Sequence, residues 1–89
     1  METQERKEII KLLRNFIEYS KKTESKGELT FDDLLQVIGL EIRLYKKKEQ
    51  LNKIIETDEE AKEWLLKIEI AIRMLRKFVL ELLKENNLL

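Results

Sequence analysis

Three glutamates, Glu59, Glu60 and Glu63, fall within one helical turn, a spacing that sets carboxylates side by side and suits a hard divalent cation such as Mg²⁺. A second cluster, Arg43-Leu44-Tyr45-Lys46-Lys47-Lys48 with Lys53 beyond it, is the one concentrated basic run and has an aromatic within it, a combination that fits a nucleic-acid backbone. Trp64, the lone tryptophan, sits at helical spacing among apolar residues and reads as a core anchor before it reads as a ligand platform. What is missing narrows the chemistry further. The chain has no His and no Cys, so Ser–His, Cys–His and His–metal mechanisms, disulfides and zinc ribbons are all excluded. Ser20, Ser25 and the four threonines therefore have no base in any identifiable motif. Lysine or carboxylate catalysis needs a group whose pKa burial has shifted, and no residue pattern points to one. The expectation is a protein that is not an enzyme, with no cofactor, no resident metal and no evident small-molecule substrate.

Two resemblances bear on these clusters. The E-E-x-x-E of Glu59, Glu60 and Glu63 resembles half of the metal site of the all-α nucleotide pyrophosphohydrolases. The other half of that pattern, a Glu with an Asp three residues later on a following helix, is missing, because no Asp follows Asp58. Acidic residues at a helix N-terminus also have a structural reason to be there, since they face the positive end of the helix dipole. The stretch from Phe31 to Leu40 followed by the basic run resembles a helix-turn-helix over about 20 residues, with Gly39 at the turn and the basic helix entering a major groove. It implies a small nucleic-acid-binding regulator that uses Arg43, Lys46, Lys47, Lys48 and Lys53. Glu41 and Glu49 flank that run, however, and 18 basic residues against 18 acidic ones leave no net charge to attract a polyanion. The opposing reading makes the lysines a solvated helix face whose stems cover apolar surface.

The elements that must position these residues are helices. With 89 residues the chain fits a single domain spanning 1–89. The 26 Leu and Ile residues rule out a disordered chain. Proline is absent and glycine occurs only at Gly27 and Gly39, so nothing forbids long helices. Ile9, Leu12, Leu13, Phe16 and Ile17 recur at i, i+3, i+4, i+7 and predict a helix over about 4–22, with Thr3 as its N-cap. Lys21 to Glu28 contains no apolar residue and reads as a loop. Thr30 before Phe31-Asp32-Asp33 starts a second helix over about 31–56. Two apolar stripes run along it, one through Phe31, Leu34, Leu35, Ile38, Ile42 and Tyr45, the other through Val37, Leu44, Leu51 and Ile55. Either the helix is continuous and buries both, or it kinks at Gly39. Thr57 with Glu60 three residues later predicts a capping box and a third helix over 58–86, along which Ile68, Leu75 and Leu82 keep a seven-residue spacing.

The fold class is therefore all-α, a three-helix bundle, with more apolar surface than three helices of unequal length can cover. Leu66 and Ile70 lie opposite the main face of the third helix, and Phe78, Leu82 and Leu83 extend beyond the reach of a first helix about 28 Å long. Self-association through helices 2 and 3, most simply as a homodimer, would bury them, with Leu66, Ile70, Phe78, Leu82 and Leu83 at the interface. The functional expectation is a small accessory subunit that acts by protein–protein interaction, with itself or with another protein. No apolar run approaches the roughly 20 residues that span a bilayer, and the N-terminus lacks the apolar stretch of a signal peptide, so a cytoplasmic location is expected. Glu and Lys supply 28 of the 36 charges, a thermophile-like composition.

Overall fold

Seven-residue spacings organise the core. Val37, Leu44 and Leu51 on one helix and Ile68, Leu75 and Leu82 on the next are all essentially inaccessible to solvent, as is Ile9, with Phe16 seven residues further along the first helix. Each series holds one side of its helix toward a common seam, as in a coiled coil. The computed structural model describes residues 1–25, 30–85 and 87–88. It comprises three helices, α1 (Thr3–Ser25), α2 (Phe31–Asn52) and α3 (Glu59–Glu85), arranged up, down and up in a body of 45 × 23 × 16 Å. The α2–α3 hairpin forms the bulk of the packing, and α1 lies along it with fewer contacts.

Ion pairs fix the register. Glu41 and Lys48 of α2 meet Arg76 (3.4 Å) and Glu69 (3.9 Å) of α3, so that the two helices run antiparallel. Arg6 of α1 meets Glu60 near the start of α3, whereas Glu8 meets Lys47 near the end of α2, which makes α1 parallel to α3 and antiparallel to α2. At about 1.5 Å per residue, α1 is about 35 Å long and α3 about 40 Å. The mismatch in length is thus far smaller than the sequence implied. Residues 23–25, expected as loop, continue α1 past its expected end at about 22, while 26–28 of that expected loop lie outside the described residues. The third helix ends at Glu85, and Asn86 is likewise outside them.

Caps settle the remaining boundaries. Thr30 caps α2 in a capping box: its hydroxyl accepts from the Asp33 amide (3.3 Å), and the Asp33 carboxylate accepts from the Thr30 amide (2.8 Å). The capping box expected at Thr57 does not form. Thr57 donates its hydroxyl to the Ile54 carbonyl, and Asp58 caps α3 by accepting the Glu60 amide at 3.1 Å. An Asp adjoining the first turn supplies a charged acceptor where Thr supplies a neutral one, and the Glu60 side chain is engaged elsewhere. Thr3 stands inside α1, which opens with the Glu2 carbonyl accepting the Arg6 amide. Helix α2 stops at Asn52, four residues short of the expected end, where the chain tightens through Ile54 to Leu51 and Asp58 to Ile54 backbone bonds. It runs unbroken through Gly39.

Candidate interaction surface

Helix α2 is apolar on two sides, and its neighbours cover only one. Leu34, Val37, Leu40, Leu44 and Leu51 are buried. Phe31, Leu35, Ile38 and Ile42, at i, i+4, i+7 and i+11, remain between 36% and 61% exposed, with half-buried Tyr45 continuing the line. The stripe that sequence reading placed first on this helix is thus largely the outer one, and Leu40, which belonged to neither stripe, is core. Spacing alone does not separate them: 37-44-51 matches the 68-75-82 spacing of the helix it packs against, but 31-38-45 keeps the same seven-residue interval.

Helix α3 repeats the arrangement. Leu66, Ile70 and Met74 are about half exposed on its outer side, and Leu80 is exposed further along. Of the expected interface residues, Leu66 and Ile70 are therefore at the surface and Phe78 is half-buried. Leu83 is packed against the core, and Leu82 is fully buried within it. This corrects the expectation for Leu82: α3 is covered by its own chain that far along because α1 and α2 are long enough to reach it. Met74 and Leu80 were not singled out in the sequence, although Met74 continues the four-residue spacing of Leu66 and Ile70.

The basic run is dispersed around α2. Lys47 is buried and donates to Glu8 Oε2 at 2.6 Å. Lys48 faces α3, 3.9 Å from Glu69 and 6.0 Å from the centroid of the Tyr45 ring. Arg43 and Lys46 are exposed along a shallow groove of about 460 Å³ against Lys11 and Asn15 of α1. Lys53 lies past the end of α2, in the turn to α3. Because α2 is unbroken, Gly39 makes no turn between two helices, and the five cations do not form one face.

Of the acidic cluster, Glu60 is committed to structure, while Glu59 and Glu63 are exposed. Glu60 binds Arg6 through two bonds, Nε to Oε1 at 2.6 Å and Nη2 to Oε2 at 2.7 Å, and Oε1 also accepts the Trp64 indole N–H at 3.2 Å. The Trp64 ring is half-buried and is covered on one face by Lys67, 4.5 Å from the centroid. Among the described residues, no group of three or more acidic side chains is placed to hold a metal ion.

The electrostatics follow these contacts. Hydrogen bonding to Arg6 and then Trp64 holds the Glu60 carboxyl below its ordinary pKa. The Met1 amino group, 2.6 Å away, does the same for Asp58, and Lys47 for Glu8. Tyr19 donates to the Asp33 carbonyl at 2.7 Å, and burial, reinforced by the nearby Asp33 charge, pushes its phenol up to about 12. Three of the four are clamps between helices, and the fourth ties Met1 to Asp58 at the start of α3. No family model, curated protein or solved structure matches the chain. Among the described residues no helix is long and apolar enough to cross a membrane.

Proposed function

We propose that this protein is a small, non-catalytic helical interaction module that associates with itself through the outer faces of α2 and α3. The observation that carries this reading is the pair of uncovered apolar stripes, Phe31-Leu35-Ile38-Ile42 and Leu66-Ile70-Met74, on helices whose inner sides already complete a core. Single exposed apolar residues are ordinary; rows of them at helical spacing mark a surface that another helix covers. Helix packing of this kind recognises its partner by apolar anchors, while charged rims set orientation.

The reading as a nucleic-acid-binding regulator has less support. Of its five cations, Lys47 is neutralised by Glu8 and Lys48 lies near Glu69, which leaves a sparse set on a chain with no net charge. Light-scattering mass after gel filtration, across a range of concentrations, tests the proposal. A dimer or tetramer that dissociates only on dilution is the expected result, and a monomer at every concentration would overturn self-association. Absence of duplex DNA binding at low salt is expected of the same sample.

A further inference from the structure

Gly39 lies in the interior of α2, where a glycine destabilises the helix relative to alanine. Nothing within its own chain demands one: a Cβ built there meets no atom within 4 Å, and the backbone is helical. The residue sits at the edge of the exposed stripe, beside Ile38 and between Leu35 and Ile42. A helix glycine with open space above it fits the close approach of a second backbone, from outside the chain.

The charges flanking the stripe identify that second backbone. Asp32, Gly39 and Lys46 are spaced seven residues apart along one flank of Phe31, Leu35, Ile38, Ile42 and Tyr45, the position that borders the seam when two helices pack. Neither Asp32 nor Lys46 has an ion-pair partner among the described residues, although Glu41 and Lys48 on the opposite flank are both engaged by α3. In an antiparallel two-fold pairing the same flank of each helix meets its counterpart in reversed order. With the axis beside Gly39, Asp32 then meets the partner's Lys46, Lys46 meets the partner's Asp32, and the two glycines cross at the centre. The same register places Ile38 against the partner's Ile42 and Leu35 against the partner's Tyr45.

We infer that the outer face of α2 is a self-complementary docking surface for a second copy of this chain, in which the two α2 helices cross antiparallel at Gly39. This deepens the self-association reading and rests on it, and it assigns the contact to α2 rather than to the outer stripe of α3. The pattern is isologous: one apolar row, acidic at one end and basic at the other, with the gap in the middle where the axis passes.

Charge reversal and cross-linking on the full chain test this together. Asp32→Lys and Lys46→Asp are each expected to raise the dimer dissociation constant about tenfold or more, since each creates two like-charge meetings, and an equimolar mixture of the two variants is expected to restore dimerisation as a heterodimer. Helical circular dichroism establishes that each variant folds. Because the chain has no cysteine, Gly39→Cys carries a single thiol, and a short bis-maleimide should trap a dimer there but not in Leu66→Cys. Gly39→Leu should melt higher as a monomer and dimerise more weakly, opposite signs that a merely structural glycine would not produce. A dimer indifferent to both charge reversals, or one trapped at Leu66→Cys instead, would overturn the α2 contact while leaving self-association standing. A wild-type monomer at every concentration would remove both.

Discussion

The two sides of α2 carry similar side chains and have opposite energetic roles. Leu44 on the inner side is inaccessible to solvent, and Ile42, two residues earlier on the outer side, is half exposed. Removing the first leaves a cavity whose walls cannot close, whereas removing the second takes away atoms that water already touches. Stability in a marginal domain therefore resides on one side of this helix, and the other side is free to be used for association. The same asymmetry holds for the charges. Lys47 on the inner edge is bonded to Glu8, and Lys46, one residue earlier, faces outward without a partner among the described residues.

The sharpest way to break this contrast is the pair Leu44→Ala and Ile42→Ala. Urea unfolding of dilute protein should show a loss of about 2–5 kcal/mol for Leu44→Ala. A comparable loss for Ile42→Ala in the monomer would mean that the two sides do not differ. Next in size is Tyr19→Phe, which removes the hydrogen bond from the phenol to the Asp33 carbonyl and should cost about 0.5–1.5 kcal/mol. The pH dependence of that variant adds a second check. Because the folded protein holds the Tyr19 proton up to about 12, its contribution is complete below pH 10 and is lost as pH rises from 10 to 12. That alkaline loss should be shallower in Tyr19→Phe than in the wild type.

Gly39→Ala should act in the opposite direction, raising monomer stability by about 0.5–1 kcal/mol, because the new methyl group meets nothing and the helix gains propensity. At the acid end, Glu8, Asp58 and Glu60 all have folded pKa values below their ordinary ones, so their contribution is present above the ordinary carboxylate range near pH 4 and is lost as pH falls through the lowered values. Thermal melts from pH 6 downward should show this decline, and Glu60→Gln should flatten it. The smallest expected effect is that of Ile42→Ala on the isolated monomer, within about 0.5 kcal/mol, even though the same change should weaken the dimer measurably by light scattering.

Much of the architecture is legible in the residues. Three helices follow from the absence of proline, the 3.6-residue periodicity and the threonine at position 30, and all three are present. The cap of α3 lies one residue later than expected and forms no box, however, because Asp58 outcompetes Thr57 for the first free amides while Glu60 is drawn to Arg6, a residue far away in sequence. Helix α1 runs past its expected end at about 22 because a polar stretch such as Thr23 to Ser25 can prolong a helix as readily as it forms a loop. For the candidate surface, Leu66 and Ile70 could be read as exposed from their position opposite a strong apolar face. Leu82 could not be read as core without knowing how far α1 and α2 extend beside it.

By itself, the sequence determined that the chain is all-helical, that it lacks histidine and cysteine chemistry, and that it carries more apolar surface than one small core accommodates, because composition and periodicity are local properties. Which of the two apolar sides of α2 turns inward was decided only in the tertiary structure. Both stripes satisfy the helix periodicity and a seven-residue spacing, and the inward side is the one that lets Glu41 and Lys48 reach Arg76 and Glu69, Lys47 reach Glu8 and Tyr19 reach the Asp33 carbonyl. Those conditions join residues between 14 and 39 positions apart, and only the packed bundle brings them together.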